Sequence, residues 1–351
     1  MNLRPVVLYC ERGARAILSV LLVAGFALAH ASVGLDVIPA NGDAGPIALF
    51  YPSSTPSAVV QRGPFTLDVA EKGAPVAGNG RLIAISHGSG GAPWPQSDLA
   101  RMLVEAGFVV AMPEHRGDNF HDMSDVGPKS WKRRPAEVSH AIDMVLADPR
   151  FAQLAKDKVG VYGMSAGGLT ALTFAGGRWS PAQWAKHCQA HIAEDFPTCV
   201  GLIARLKGNW ADGLKTAIAK TLIRWRFGGD VAWVGHSDPR VRAVVAAVPM
   251  AAVFDMQSLS SPPIPVGLVE SEKDAWLAPR FHIEAVERAC PSCKLIADMK
   301  QAGHGALLSP FPPDLDDTEK RLLDDPPGFD RASLPAVHRA ITDFFLQNLL
   351  P

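Results

Sequence analysis

The sequence predicts an α/β protein: a mostly parallel sheet covered by helices on both faces, with a helical insertion. Three observations carry this. Short, almost wholly apolar runs such as 83–85 and 243–248 alternate with longer segments of helical period. Strands buried on both faces read this way, because neither face can carry polar side chains. A glycine-framed turn at 163–167 joins one such run to a helix of small and apolar residues. Between 177 and 239 the alternation lapses, over a stretch too long for an ordinary connection.

The elements follow in order. Residues 46–52 form an early strand, and the Ser/Pro-rich 53–57 a loop. A buried strand at 81–86 ends in His87-Gly88-Ser89-Gly90-Gly91. A short helix spans 99–106, with Leu99, Met102 and Leu103 on one face, and 107–113 is the next strand. Residues 135–148 read as a helix. Pro135 suits a first turn, where its missing N–H costs nothing, and Val138, Ala141, Ile142, Val145 and Leu146 share a face. A strand at 158–162 and a helix at 168–175 flank the turn at 163–167. Later strands are 243–248, 264–269 and 294–297. An amphipathic helix at 333–350 closes the chain, with Ser333 as N-cap, Pro335 in the first turn, and Leu334, Val337, Ile341, Phe344, Phe345 and Leu349 inward.

The insertion at 177–239 follows the helix after the glycine-framed turn and precedes a core strand, where a cap over a site would sit. It reads as helical around 181–189, 200–207 and 213–225. Trp179, Trp184, Trp210, Trp225 and Trp233 fall within it, five of the eight Trp, and are expected to form its own small core rather than a pocket wall. Its basic residues, Arg205, Lys207, Lys215, Lys220, Arg224 and Arg226, read as a solvated helix face rather than a contact for an anionic substrate or a membrane surface.

A net charge of −1 offers no basic excess for nucleic acid. Arg4, Arg12 and Arg15 precede an apolar run at 16–29, and Ala29-His30-Ala31 gives a small-x-small exit. This predicts a signal peptide at 1–31, cleaved near Ala31, with 32–351 exported to the periplasm or beyond. The run is shorter than the ~20 residues of a membrane span, so no stable insertion is expected. Residues 1–31 carry a charge of +2, so their removal leaves −3. Cys188, Cys199, Cys290 and Cys293 remain, and in an exported chain they suggest two disulfides. Pairing of neighbours is the simplest of the three connectivities. A redox role for Cys290-x-x-Cys293 lacks the helix start such motifs use. Zinc lacks a second C-x-x-C, and the helically spaced His187 and His191 are remote from the first.

Gly163-Met164-Ser165-Ala166-Gly167 reads G-x-S-x-G between a strand and a helix. That context makes it a nucleophile elbow, with Ser165 exposed at the tip and a helix N-terminus facing it. A serine hydroxyl needs a base, and the base needs an orienting carboxylate, in the chain order Ser, acid, His. Among the downstream histidines, His304 lies in a glycine-flanked loop after the last strand and is the candidate base. Asp274, a turn beyond the 266–269 run, is the candidate acid, with Glu270 and Glu272 as alternatives and a helix N-cap as its rival role. The amides of Ala166 and Ser89 are the candidate oxyanion donors, with His87 tying down the Ser89 loop. Pro93 stands where G-x-G-x-x-G needs its last glycine, so that loop is not a dinucleotide site. The stretch 113–118 reads as a turn held by its own charges near the same sheet edge.

On these residues the chain resembles α/β-hydrolases of the dienelactone hydrolase-like kind, related to platelet-activating-factor acetylhydrolase-like serine esterases. The matching features are Leu49-Phe50-Tyr51-Pro52, Ser86-His87-Gly88-Ser89-Gly90, Gly107-Phe108-Val109-Val110, Arg134-Pro135-Ala136-Glu137-Val138, the elbow, Asp274 and His304. They span nearly the whole chain after residue 31, except the cap. Two departures stand out: Ser165 where dienelactone hydrolases use cysteine, and Glu137 where the family's motif has Asp. The resemblance implies the α/β-hydrolase fold and cleavage of small carboxylic esters through an acyl-enzyme, with no metal and no organic cofactor. Transacylation or amide hydrolysis on the same triad, or a catalytically silent binding protein, are the alternative readings.

Overall fold

The structure, a computed structural model, describes residues 32–350 except 43 and 202–203. The expected signal peptide lies outside the described residues. In chain order the strands are Ser32–Ile38 (β1), Ile47–Ser53 (β2), Ala58–Arg62 (β3), Phe65–Glu71 (β4), Leu82–Ser86 (β5), Val109–Pro113 (β6), Val159–Met164 (β7), Arg178–Trp179 (β8), Val241–Ala247 (β9), Phe254–Asp255 (β10), Val266–Ser271 (β11) and Lys294–Met299 (β12). The helices are Ser97–Glu105 (α1), Pro128–Ala147 (α2), Ala166–Phe174 (α3), Pro181–His191 (α4), Phe196–Val200 (α5), Ala211–Phe227 (α6), Ile283–Ala289 (α7), Asp317–Leu323 (α8) and Leu334–Leu349 (α9).

Ten strands form one sheet in the order β12-β11-β9-β7-β5-β6-β2-β1-β4-β3. From β12 to β6 every pairing is parallel, whereas β2 runs antiparallel to β6 and to β1. Strands β5, β6, β7 and β11 are buried at every position, which is why they read as apolar runs. Alternate residues serve opposite layers. Leu82 and Ala84 join α2, α3 and the cap in one cluster, while Ile83 and Ile85 join α1 and α9 in the other. Strands β6 and β7 lie on opposite sides of β5. The connections leaving β5 and β7 therefore diverge, and the crevice between them is where such sheets bind ligands.

Several expectations change. Strands β1, β3 and β4 add to the strands expected from the sequence. All three lie on the antiparallel side of the sheet, and β3, at its edge, is exposed or half-buried throughout. Helix α2 begins at Pro128, not Pro135, so Pro135 falls inside it. The lost hydrogen bond is outweighed by a buried stripe that runs through Trp131, Arg134, Val138 and Ile142. Ser333 is already helical, and its hydroxyl donates to the Asp330 carbonyl instead of capping α9.

The insertion holds α4, α5 and α6, but 204–207 is not helical, and α5 instead precedes Gly201. Strand β8 pairs with β10. The cap has no separate core. Trp131 of α2 meets Trp179 and Trp184 edge-to-face, at 5.9 and 5.7 Å, so cap and sheet share one cluster. Only two of the five cap tryptophans are buried; Trp210, Trp225 and Trp233 are exposed. Disulfides join Cys188 to Cys199 and Cys290 to Cys293, the neighbour pairing. Among the described residues no helix is long and apolar enough to cross a membrane.

Candidate active site

Ser165 occupies the turn between β7 and α3 with φ 59° and ψ −117°, a conformation costly for a residue with a side chain. Backbone bonds pin it there: its N–H donates to Ala247 (3.0 Å), and its carbonyl accepts from Met250 (3.0 Å). The two framing glycines are steric necessities. A Cβ on Gly163 would meet the Gly167 carbonyl oxygen at 1.8 Å, and one on Gly167 would meet the Ser86 oxygen at 1.9 Å. Strand and helix could not approach so closely with any larger residue. The turn points Ser165 outward while Ala166 opens the helix, its N–H among those that α3 leaves without helical partners.

His304 lies 3.0 Å from the Ser165 hydroxyl through Nε2, and 2.7 Å from Asp274 Oδ2 through Nδ1. The three residues are brought together from the ends of β7, β11 and β12. Asp274 caps no helix, its rival role, but its Oδ1 closes a turn by accepting from the amides of Trp276 and Leu277, both at 2.8 Å. One carboxylate thus holds both the turn and the imidazole. The helix expected from 275 is a turn, and α7 starts only at Ile283. Glu272 is paired with Lys300 at 2.7 Å, away from the imidazole. Glu270 is buried within β11, where burial and then Glu287 raise its pKa to about 7. His304 is 4% exposed, beneath the Trp276 ring at 5.4 Å. Its flanking Gly305 accommodates α8, since a Cβ there would lie 2.1 Å from the Leu323 oxygen. A cleft of about 350 Å³ opens on His304, with Lys273, Lys320 and Arg321 on its walls.

The loop after β5 reaches Ser165 at Gly88, where a Cβ would stand 3.4 Å from the Ser165 Cβ. Ser89 follows directly, with its hydroxyl turned toward Asp118 at 3.4 Å. His87 ties the loop as expected. Its Nε2 accepts from the His115 amide (3.2 Å), which leaves Nδ1 to donate to the Gly88 carbonyl (2.7 Å). Burial, and then His115 and Arg134, hold His87 well below the usual histidine pKa, so it stays neutral.

Beneath this loop lies a buried polar network whose partners stand far apart in the sequence. Arg134, fully buried, donates to Asp118 Oδ2 (2.9 and 3.1 Å) and to the carbonyls of His87 and Gly88. Asp118, also fully buried, accepts from the Gly90 amide at 2.9 Å and the Ser130 hydroxyl at 2.6 Å. Burial alone would raise the Asp118 pKa; Arg134 and these hydrogen bonds outweigh it and hold the carboxyl below its usual range. His115 bridges Glu137 (2.6 Å) and the Ser86 hydroxyl (2.7 Å), and burial keeps it neutral. The stretch 113–118 is thus an anchor for the loop rather than a self-contained turn. The signal available was Arg134 itself, a charge within the apolar stripe of α2.

Four further histidines sit in structural contacts or in the core. His282 Nδ1 accepts from the Ala251 amide at 2.9 Å, and its Nε2 meets Asp195 of the cap at 3.1 Å. His187 joins the same carboxylate at 2.7 Å. His236 bonds Ser139 at 2.9 Å, and His338 is buried in α9. Among the described residues no group of three or more His, Cys, Asp or Glu is arranged to hold a metal ion. No protein-family model matches the chain, and no curated protein matches it. The resemblance to α/β-hydrolases therefore rests on the quoted residues alone.

Proposed function

We propose that this chain is an exported serine hydrolase of α/β-hydrolase fold that cleaves carboxylic esters through an acyl-enzyme. The observation that carries the reading is the continuous chain Ser165–His304–Asp274, at 3.0 and 2.7 Å, on an elbow with φ 59°. Asp274 accepts a hydrogen bond from the Nδ1–H of His304, which leaves Nε2 as the acceptor for the Ser165 hydroxyl. As the Ser165 oxygen attacks a carbonyl carbon, its hydroxyl proton passes to Nε2 and negative charge develops on the substrate oxygen. Amides of Ala166 and Ser89 receive it, each such donor being worth about 3 kcal/mol in the transition state. The C–O bond then breaks, His304 protonates the departing alkoxide, and the acyl group remains on Ser165. Water, deprotonated by the same nitrogen, releases the acid and restores the hydroxyl.

The two disulfides support an oxidising compartment, in line with the expected signal peptide. The test is covalent labelling with a fluorophosphonate. One label is expected on Ser165, and none on Ser165→Ala. Folded protein that takes no label would sink the proposal.

A further inference from the structure

We infer that helix α6 of the cap is a docking surface for an anionic lipid bilayer. The helix is amphipathic the wrong way round for a solvated element. Ile223 faces the protein, with Ala219 and Phe227 packed beside it, and the Lys220 carbonyl accepts from Gln189 of α4 at 2.7 Å. Outward, at the four-residue spacing that stacks side chains on one helix face, stand Trp210, Leu214, Ile218 and Leu222, with Trp225 closing the stripe. Trp210 is 88% exposed, Trp225 81%, and the three aliphatic residues between 51% and 58%. Val231 and Trp233, just beyond the helix, are exposed as well. Among the described residues, seven of the fourteen large exposed hydrophobics thus fall within 210–233. Scattered apolar residues need no explanation; a stripe does.

Charge selects the occupant. From 204 to 227 the chain has six Lys or Arg (Arg205, Lys207, Lys215, Lys220, Arg224, Arg226) and one acid, Asp212, a local charge of +5 within a chain of net −1. At 100° per residue, Lys215 and Arg226 flank one side of the apolar arc, and Lys220 and Arg224 the other. Aromatic and aliphatic residues on one face, with Lys and Arg along its margins, are what a helix lying in a bilayer interface presents. The margins meet anionic headgroups while the stripe enters the acyl boundary. A second copy of the chain fits less well, because a symmetric contact would oppose +5 to +5. The first 31 residues carry +2 and are no better matched. Docking of α6 would hold the candidate site near the membrane, since neighbouring α5 touches the acid loop through Thr198 and the Trp276 carbonyl, at 3.2 Å. The inference does not depend on the proposed chemistry.

The test is flotation of the full chain with phosphatidylcholine vesicles, with and without phosphatidylglycerol. Binding is expected to be roughly tenfold or more tighter with phosphatidylglycerol and to weaken with salt. Lipids brominated on their acyl chains should quench tryptophan emission, and much of that quenching should vanish in Trp210→Phe/Trp225→Phe. Leu214→Ser/Ile218→Ser/Leu222→Ser should lose binding at unchanged Tm. Lys220→Gln/Arg224→Gln/Arg226→Gln should lose the preference for phosphatidylglycerol, which keeps the test decisive if the serine variant folds poorly. Absence of vesicle binding, binding and quenching untouched by these substitutions, or a dimer they abolish without vesicle binding, would each overturn the inference.

Discussion

Replacing Arg134 by methionine isolates the network that shapes the Ser89 loop. Methionine keeps the unbranched stem and the helix propensity of α2 but removes five N–H donors. Asp118 Oδ2 then loses contacts at 2.9 and 3.1 Å and keeps the hydroxyls of Ser130 at 2.6 Å and Ser89 at 3.4 Å, while the His87 and Gly88 carbonyls lose their guanidinium donors. Breaking a buried ion pair from one side costs about 3–5 kcal/mol. The cost has a ceiling, because Asp118 can take up a proton instead. Protonating a carboxyl of ordinary pKa at pH 7 spans about three pH units, at 1.36 kcal/mol each, or about 4 kcal/mol. Both routes give about 4 kcal/mol, a large part of the 5–15 kcal/mol that holds a typical protein together.

The ceiling makes the loss depend on pH, with a sign that can be checked. In the wild type the Asp118 pKa is depressed in the fold. Its stabilisation is therefore complete above the unfolded value of about 3.9 and lost only as pH falls below it. Without Arg134, burial dominates and the folded pKa rises, so the variant loses stability as pH climbs from about 4 toward 7. Urea unfolding at pH 7 and pH 5 reads this directly. The gap between wild type and Arg134→Met should be about 4 kcal/mol at pH 7 and smaller by about 2–3 kcal/mol at pH 5. Asp118→Asn added to Arg134→Met should recover part of the loss at pH 7. A gap under 1 kcal/mol at pH 7, or one equal at both pH values, would refute the reasoning.

Three other perturbations have defined outcomes. Asp274→Asn keeps an oxygen for the Trp276 and Leu277 amides but disfavours the required His304 tautomer, so kcat for p-nitrophenyl acetate should fall about 10⁴-fold with Tm little changed; a loss below tenfold contradicts the assignment. Cys188→Ala/Cys199→Ala opens a cross-link of sequence separation 11, and guanidinium unfolding should show a loss of about 3 kcal/mol; a reductant, which opens Cys290–Cys293 as well, should cost the wild type at least as much. Burial lowers the His338 pKa from 6.5 to about 4, so its contribution is intact above 6.5 and drains as pH falls toward 4. Between pH 7 and 4.5 His338→Gln should lose about 2–3 kcal/mol less stability than the wild type, with His87 and His115 common to both; equal losses would show that His338 does not titrate in this way.

The parallel strands were legible because burial on both faces leaves a sequence nothing but apolar residues, as in Ile83–Ile85 and Ala243–Ala247. The candidate triad was legible because an elbow needs glycines at 163 and 167, whose Cβ atoms would strike backbone oxygens at 1.8 and 1.9 Å. What escaped was decided by the third dimension. The edge strand β3 carries Gln61 and Arg62 and buries none of its residues, so it looks like a loop. Pro135 is a sound first-turn signal, overridden by a buried stripe that starts about one turn earlier, at Trp131. The cap tryptophans depart furthest from expectation. Trp184 and Trp210 are the same residue type in the same segment, yet one packs against Trp131 and the other faces solvent. A helix buries whichever face its neighbours allow, and the period of the pattern does not say which. In α6 the apolar stripe points outward. The error in placing Trp210 and Trp225 in a core is thus the same fact that makes α6 a surface.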